Sequence, residues 1–369
     1  MYICRKIYLI WQSIFMNKEF QLTNAITDKI VLLVEQARKS VAKNTNAAMI
    51  FTYFHIGKLL VEEWQQGEKR AGYGENVLKN VSKNLTNKLG KGFSVQNLER
   101  MRNFFLLYSN SSKELRNSDV FLKSSNSLRI FDNNVSINLL PISWSHYLFL
   151  MRIKYEQERQ FYEIESYQNQ WTLEELERQF NTGLFERLSA SKNQNEILKL
   201  SKEGQIVTNP KDLLKDPLIL DFLDLKSDVS YTETDLETAI INHIEKFMLE
   251  LGKGFFFGGR QVRFSFDEEH YFVDLVFYNR ILRCFVLIDL KIGKLKHQDL
   301  GQMQMYVNYY DRFVKQSDEN NTVGIVVCKT KEDAIVEITL PKTNNQIFAA
   351  KYETIIPSKE VLKQIINLK

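Results

Sequence analysis

Between Tyr271 and Gly293 the chain reads "YFVDLVFYNRILRCFVLIDLKIG", two apolar runs of strand-like composition with Asp274, Asp289 and Lys291 set inside them. Burying such charges singly costs several kcal/mol or more, so the fold that takes up these runs must supply partners or a metal ion. Asp289 and Lys291 lie two apart on one strand and project to the same face. Where Asp274 falls depends on the connection. A tight Asn279–Arg280 turn sets the aspartates four residues out of register, roughly 13 Å apart at strand rise. A loop over Arg280–Arg283 sets them opposite, with Cβ atoms roughly 5 Å apart. Two carboxylates that close repel unless a cation lies between them. Mg²⁺ takes an octahedron of oxygens and keeps several waters, which suits two aspartates and a backbone carbonyl, that of Leu290. Lys291 beside them could orient or help deprotonate a water, or stabilise charge on a phosphate. The structural alternative is a buried ion pair, Asp289 with Lys291 or Asp274 with Arg280, and D-x-K by itself does not decide.

The 369 residues, 44% hydrophobic and 25% charged, are those of a soluble globular chain of two or three domains. A net charge of +4 admits a nucleic-acid partner without demanding one. Cys4, Cys284 and Cys328 form no CxxC pair, which argues against a disulfide framework or zinc and for a reducing cytoplasm. His243, His270 and His297 show no HxxxH spacing. "MYICRKIYLIWQSIF" is too short to span a bilayer and lacks a cleavage site, so Met16 is the expected start. No other stretch is apolar enough for a membrane span.

Residues 1–22 read as a poorly ordered or mis-assigned beginning, and 23–188 as a mainly helical domain with a Ser/Asn-rich mobile insertion at 110–138. A helical stripe through Ile30 and Val41 breaks near "AKNTNAA" and resumes through Tyr53 and Leu60. "NVLKNVSKNLTNKLG" is a helix closed by Gly90. "KGFS" is a turn, and "VQNLERMRNFFLLY" is a helix capped by Ser94 that buries Val95, Leu98, Met101 and Phe105. This unit is a candidate DNA-binding helix-turn-helix. Gln96, Asn97 and Arg100 would then read base edges, while Lys83, Lys88 and Lys91 meet phosphates; a plain helical hairpin is the alternative. In "SWSHY", Trp144 and Tyr147 are expected to pack and His146 to hydrogen-bond. Residues 189–230 read as a connecting region with one short helix. From 231 to 369 comes a helix capped at Thr232 or Thr234 and closed by Gly252, then strands, giving α-β-β-β-α-β on a mixed sheet.

At "DLETAIINHIEKFMLELGKGFFFGGRQ", "FVDLVFYNRILRCFVLIDLKIGKL" and "GQMQMYVNYYDR" the chain resembles the YhcG-like family of the PD-(D/E)XK nuclease superfamily. "GKGFSVQNLERMRNFF", "SWSHY" and "WTLEELERQ" extend the resemblance over most of the chain from Asn46 to Pro357. The resemblance implies a restriction-endonuclease-like C-terminal domain that hydrolyses DNA phosphodiesters with Mg²⁺, Mn²⁺ being the alternative ion. Asp274 then matches the acidic residue of the second core strand, Asp289 and Lys291 the (D/E)-x-K pair, and Glu237 the acidic residue of the first core helix, with a place at the metal. Family members more often carry Glu where Asp289 stands, and Val273 takes the place of the proline. Gln302 and Tyr306 resemble a QxxxY element; Gln261 in "GRQ" is a lesser candidate. DNA is the implied partner, and nucleases of this fold often cut two strands as homodimers. The rival reading is a catalytically inactive nuclease fold that binds DNA or assembles complexes. A helical adaptor would leave the buried charges unexplained.

Overall fold

The computed structural model describes residues 30–62 (apart from 32, 35, 39 and 43), 73–111, 139–189, 192–223, 225 and 231–356. The expectations for residues 1–22, for Met16 and for 112–138 lie outside the described residues. The chain divides into two compact units, residues 1–152 and 153–369.

In the first unit, residues 44–62 form α1, so the chain is already helical through "NTNAA" from Asn44. Helices α2 (Tyr73–Leu89), α3 (Val95–Ser111) and α4 (Trp144–Leu150) follow. The α2–α3 turn forms for the reasons its sequence offers. Gly90 takes a φ of +87° and donates its N–H to Thr86 O, Gly92 takes +118°, and Ser94 Oγ accepts from Asn97 N at 3.3 Å. The buried stripe of α3 is Leu98, Met101, Phe104 and Tyr108; Val95 and Phe105 are only half-buried. Phe104 turns inward because it meets three aromatic partners on other helices, Phe54, Trp144 and Tyr147. His146 Nδ1 sits 2.6 Å from Ser143 Oγ at the α4 N-terminus.

The second unit opens with α5 (Glu156–Gln168), α6 (Leu173–Asn181), α7 (Leu184–Ser189) and α8 (Gln194–Glu203). These helices therefore share a unit with the sheet, and the division falls at Arg152/Ile153, ahead of the boundary read from composition. The reason is a buried charge cluster. Glu250, wholly buried, accepts from Arg187 at 2.6 Å, Arg178 at 3.4 Å and Ile219 N at 3.0 Å. The 189–230 segment is likewise more than a connection. Val207, Leu213, Leu218 and Phe222 enter the core, and β1 (Leu218–Ile219) joins the sheet.

After α9 (Glu233–Asn242) and α10 (Ile244–Leu251) come β2 (Phe255–Phe266), β3 (Glu269–Asn279), β4 (Cys284–Lys294), α11 (His297–Tyr309), β5 (Val323–Thr330), α12 (Asp333–Thr339) and β6 (Ile347–Glu353). The capping box at Thr232 starts α9 and Gly252 ends α10, but the expected single helix breaks between them at His243, with φ −121° and ψ 34°. The six strands run β1-β6-β5-β4-β3-β2. β2, β3 and β4 are antiparallel, while β5 pairs in parallel with β4 and β6, making a mixed sheet. Leu236, Ile240 and Phe247 of the α9–α10 pair cover one face through Leu275, Phe277 and Ile288. Met303 and Val307 of α11 cover the other through Val276, Leu287 and Val326.

Candidate active site

β2 pairs with β3 from Phe255↔Asn279 to Phe266↔Glu269, and β4 pairs with β5 from Val286 to Lys294. Between β3 and β4 the ladder runs only from Leu275↔Ile288 to Asn279↔Cys284. Past Leu275 and Ile288 the sheet forks. The register fixes the hairpin connection as Arg280–Arg283, the longer of the two loops considered from sequence. Asn279 Oδ1 builds that loop by accepting from Ile281 N and Leu282 N, and Arg283 closes it with a φ of +50°. Continued by one residue, the same register puts Asp274 opposite Asp289 at the mouth of the fork.

Asp274 spans the fork by a side chain where the ladder has stopped: its Oδ2 accepts from Leu290 N at 2.8 Å. In an extended strand the N–H and C=O of one residue point the same way, so the Leu290 carbonyl faces the fork as well. Asp289 is 2% exposed, and its Oδ2 has no hydrogen-bond partner. Lys291 Nζ lies 2.9 Å from that oxygen in an ion pair, and 3.8 Å from Glu233. Burial pushes Asp289 up to about 7, against the pull of Lys291 and with the help of Asp274. Burial also raises Asp274, opposed by the Leu290 N–H and by Lys291. For Lys291 burial acts downward, but Asp289, Glu233 and Asp274 outweigh it and the pKa is raised. The lysine is thus a cation at neutral pH.

Glu237 is buried at the edge of the fork with both carboxylate oxygens engaged. Oε1 accepts from Arg260 Nε, and Oε2 from Gln261 Nε2 at 2.5 Å. The same Gln261 amide donates to Asp274 Oδ1 at 2.9 Å. Gln261 adopts a φ of +47°, a left-handed conformation that costs a non-glycine residue about 1–3 kcal/mol. Gln302 Nε2 donates to the hydroxyl of Tyr306, as the one-turn spacing predicts. Tyr306 is 1% exposed; burial raises its pKa, and Asp289 and Asp274 add to the rise, so it stands within the field of the carboxylates. Arg260 and Glu233 were not singled out from sequence. Arg260 adjoins Gln261 in "GRQ", and Glu233 opens the acidic helix "ETDLE", but nothing local tells what either faces.

In the first unit Lys83, Lys88, Lys91, Gln96 and Arg100 are exposed along α2, the turn and α3. Asn97 is half-buried and serves the turn itself: Nδ2 donates to Gly92 O at 3.1 Å, and Oδ1 accepts from Arg100 at 3.1 Å. No helix among the described residues is long and apolar enough to cross a membrane.

Among the described residues no group of three or more His, Cys, Asp or Glu side chains is assembled to hold a metal. The fork instead offers two carboxylates and a carbonyl. An oxygen-only donor set with one buried carboxylate, neutralised here by Lys291 alone, fits a hard divalent cation.

A forked mixed sheet with helices on both faces is the fold of the restriction-endonuclease-like, PDDEXK nuclease class. The family model described as the YhcG PDDEXK nuclease domain matches residues 211–367, and that of the DUF1016 N-terminal domain matches residues 29–187. "Putative nuclease YhcG" of Escherichia coli (strain K12) is 36% identical over 346 residues, 91% of this chain and 92% of that protein. The chain belongs to the YhcG family. Among solved structures, a repair endonuclease from Pyrococcus abyssi is similar over 35% of this chain and 50% of its own, with 16% identity and a TM-score of 0.24. The EndoMS–dsDNA2 complex is similar over 37% of this chain and 50% of its own, also with 16% identity and a TM-score of 0.24.

Proposed function

We propose that the protein is a divalent-metal-dependent DNA endonuclease and that the fork is where phosphodiesters are cut. The observation that carries this reading is the pairing of Asp274 and Asp289 at the fork, with Asp289 buried and Lys291 beside it. Asp274, Asp289 and the Leu290 carbonyl would hold Mg²⁺ or Mn²⁺. A bound divalent cation supplies positive charge to the phosphate and lowers the pKa of water. The chain's own residues do the rest. Lys291, held protonated by its acidic neighbours, donates hydrogen bonds that orient the attacking water and offset charge on the phosphate. Gln302 holds the Tyr306 hydroxyl, and Glu237 meets the site through Gln261. In-line attack of water breaks one P–O bond and leaves a phosphomonoester end and a hydroxyl end.

The exposed lysines Lys83, Lys88 and Lys91 are proposed to bind DNA phosphates and the exposed Gln96 and Arg100 to meet bases, with Asn97 shaping the turn between them. The protein is assigned to the cytoplasm, which suits the buried free thiols of Cys284 and Cys328. Cutting both strands would take two copies of the chain.

One observation favours the inactive-scaffold reading: Lys291 already pairs with Asp289 and approaches Glu233, which closes the charge set without a metal. Incubating linear, branched and single-stranded DNA with the protein and Mg²⁺ or Mn²⁺, beside Asp289→Ala and Lys291→Ala, separates the two. Metal-dependent cutting that both substitutions abolish supports the nuclease. Intact DNA throughout, with equal binding by all three proteins, supports the scaffold.

A further inference from the structure

We propose that Gln261 is a positioning residue that sets the Asp274 carboxylate for the metal, with Glu237 as its anchor rather than as a metal ligand; this rests on the nuclease reading above. Three separate features converge on it. First, one amide group serves two carboxylates, donating to Glu237 Oε2 at 2.5 Å and to Asp274 Oδ1 at 2.9 Å. An amide NH₂ has two hydrogens to give, and with an acid on either side the nitrogen rather than the oxygen must face them. Second, the backbone is bent to make this reach. Gln261 sits at φ +47°, and the β2–β3 ladder, paired at Arg260↔Leu275 and Val262↔Val273, leaves Gln261 and Asp274 unpaired between them. A glycine would meet that conformation without strain, but it could not make the two amide hydrogen bonds. Third, the anchor is fixed. Glu237 is 4% exposed, its other oxygen is held by Arg260, and Arg260 also donates to Thr238 Oγ1 at 3.1 Å.

With Leu290 N on Oδ2 and Gln261 on Oδ1, each Asp274 oxygen has one donor and keeps a further lone pair. A neutral donor suits this task, because a lysine or arginine there would compete with a bound cation for the same charge. Gln261 is exposed, so losing its side chain need not unfold the domain.

The test compares wild type, Gln261→Met, Gln261→Gly and Asp289→Ala. Mn²⁺ affinity is measured by calorimetry without DNA, kcat and KM on a DNA duplex with Mg²⁺, and the thermal midpoint in EDTA. Removing an outer partner of a metal ligand typically costs about 10–100-fold in metal affinity. Both Gln261 substitutions should show that loss and a matching fall in kcat, with KM for DNA and the thermal midpoint near wild type. Gln261→Gly should melt no lower than Gln261→Met, since it relieves the left-handed strain. Wild-type Mn²⁺ affinity in both variants, while Asp289→Ala loses it, overturns the role of Gln261 and leaves the nuclease standing. A thermal midpoint that falls in both variants along with Mn²⁺ binding makes the residue structural and also overturns it. Wild type that binds no Mn²⁺ and cuts no DNA removes the nuclease reading, and this inference with it.

Discussion

Asp289→Asn should make the metal-free protein more stable while abolishing cleavage. The Asp289 side chain is 2% exposed, one oxygen has no hydrogen bond, and burial carries its pKa from 3.8 to about 7. An acid raised in this way binds more protons folded than unfolded between those two values. Its contribution to stability therefore falls as pH rises from about 4 to about 7 and stays low above that. At 1.36 kcal/mol per pH unit, a rise of about three units corresponds to roughly 4 kcal/mol at pH 8, with the help of Lys291 already included. The asparagine substitution takes away Lys291's nearer partner and leaves Glu233 at 3.8 Å, which returns about 1 kcal/mol or more of that gain. A net gain of about 2–3 kcal/mol should raise the midpoint of a domain this size by about 4–12 °C. Scanning calorimetry in EDTA at pH 8 reads it directly, and the difference should shrink toward zero by pH 4. Mn²⁺ should then raise the wild-type midpoint and leave the variant unmoved. A variant less stable than wild type at pH 8 in EDTA would refute the reasoning, because Asp289 and Lys291 would then be a structural ion pair.

Glu250→Gln should destabilise the second unit by about 3–5 kcal/mol in urea unfolding, since Arg187 and Arg178 lose a buried counter-charge. Burial alone would raise Glu250, but Arg187, Lys215 and Arg178 overcome it and hold the carboxyl down at about 2. Its stabilisation is therefore present above pH 4.5 and lost as pH falls toward 2, so the wild type should lose stability across that window more steeply than the variant. Gly57→Ala should destabilise the first unit by about 1–3 kcal/mol, read as a lower melting midpoint, because a Cβ there would lie 2.1 Å from Met101 O of α3. Replacing Lys83, Lys88 and Lys91 together by alanine should weaken binding evenly across DNA sequences. It should also lower the slope of log affinity against log salt by about 3 in fluorescence anisotropy; an unchanged slope would take these lysines off the DNA.

What the sequence could tell about the site and what it could not divide along a physical line. The charges within apolar runs demanded a shared solution, and the two hairpin connections were countable, but choosing between them took Asn279 folding its side chain back over Ile281 and Leu282. The capping box at Thr232 and the left-handed glycines at 90 and 252 were local, and so legible. Strand β6, "IFAAKYE", has little strand character of its own and becomes a strand because β5 and β1 flank it. Phe104 rather than Phe105 is buried because three rings from other helices wait for it. Gln261 is the sharpest case. Glutamine is no turn former, the residue lies inside a strand, and its partners are 24 positions before it and 13 after. No local rule would place it in a left-handed conformation, and the fold maintains it there against its own cost. Local propensity is overridden where a side chain must reach two carboxylates at once, which is the part of the site a sequence pattern cannot contain.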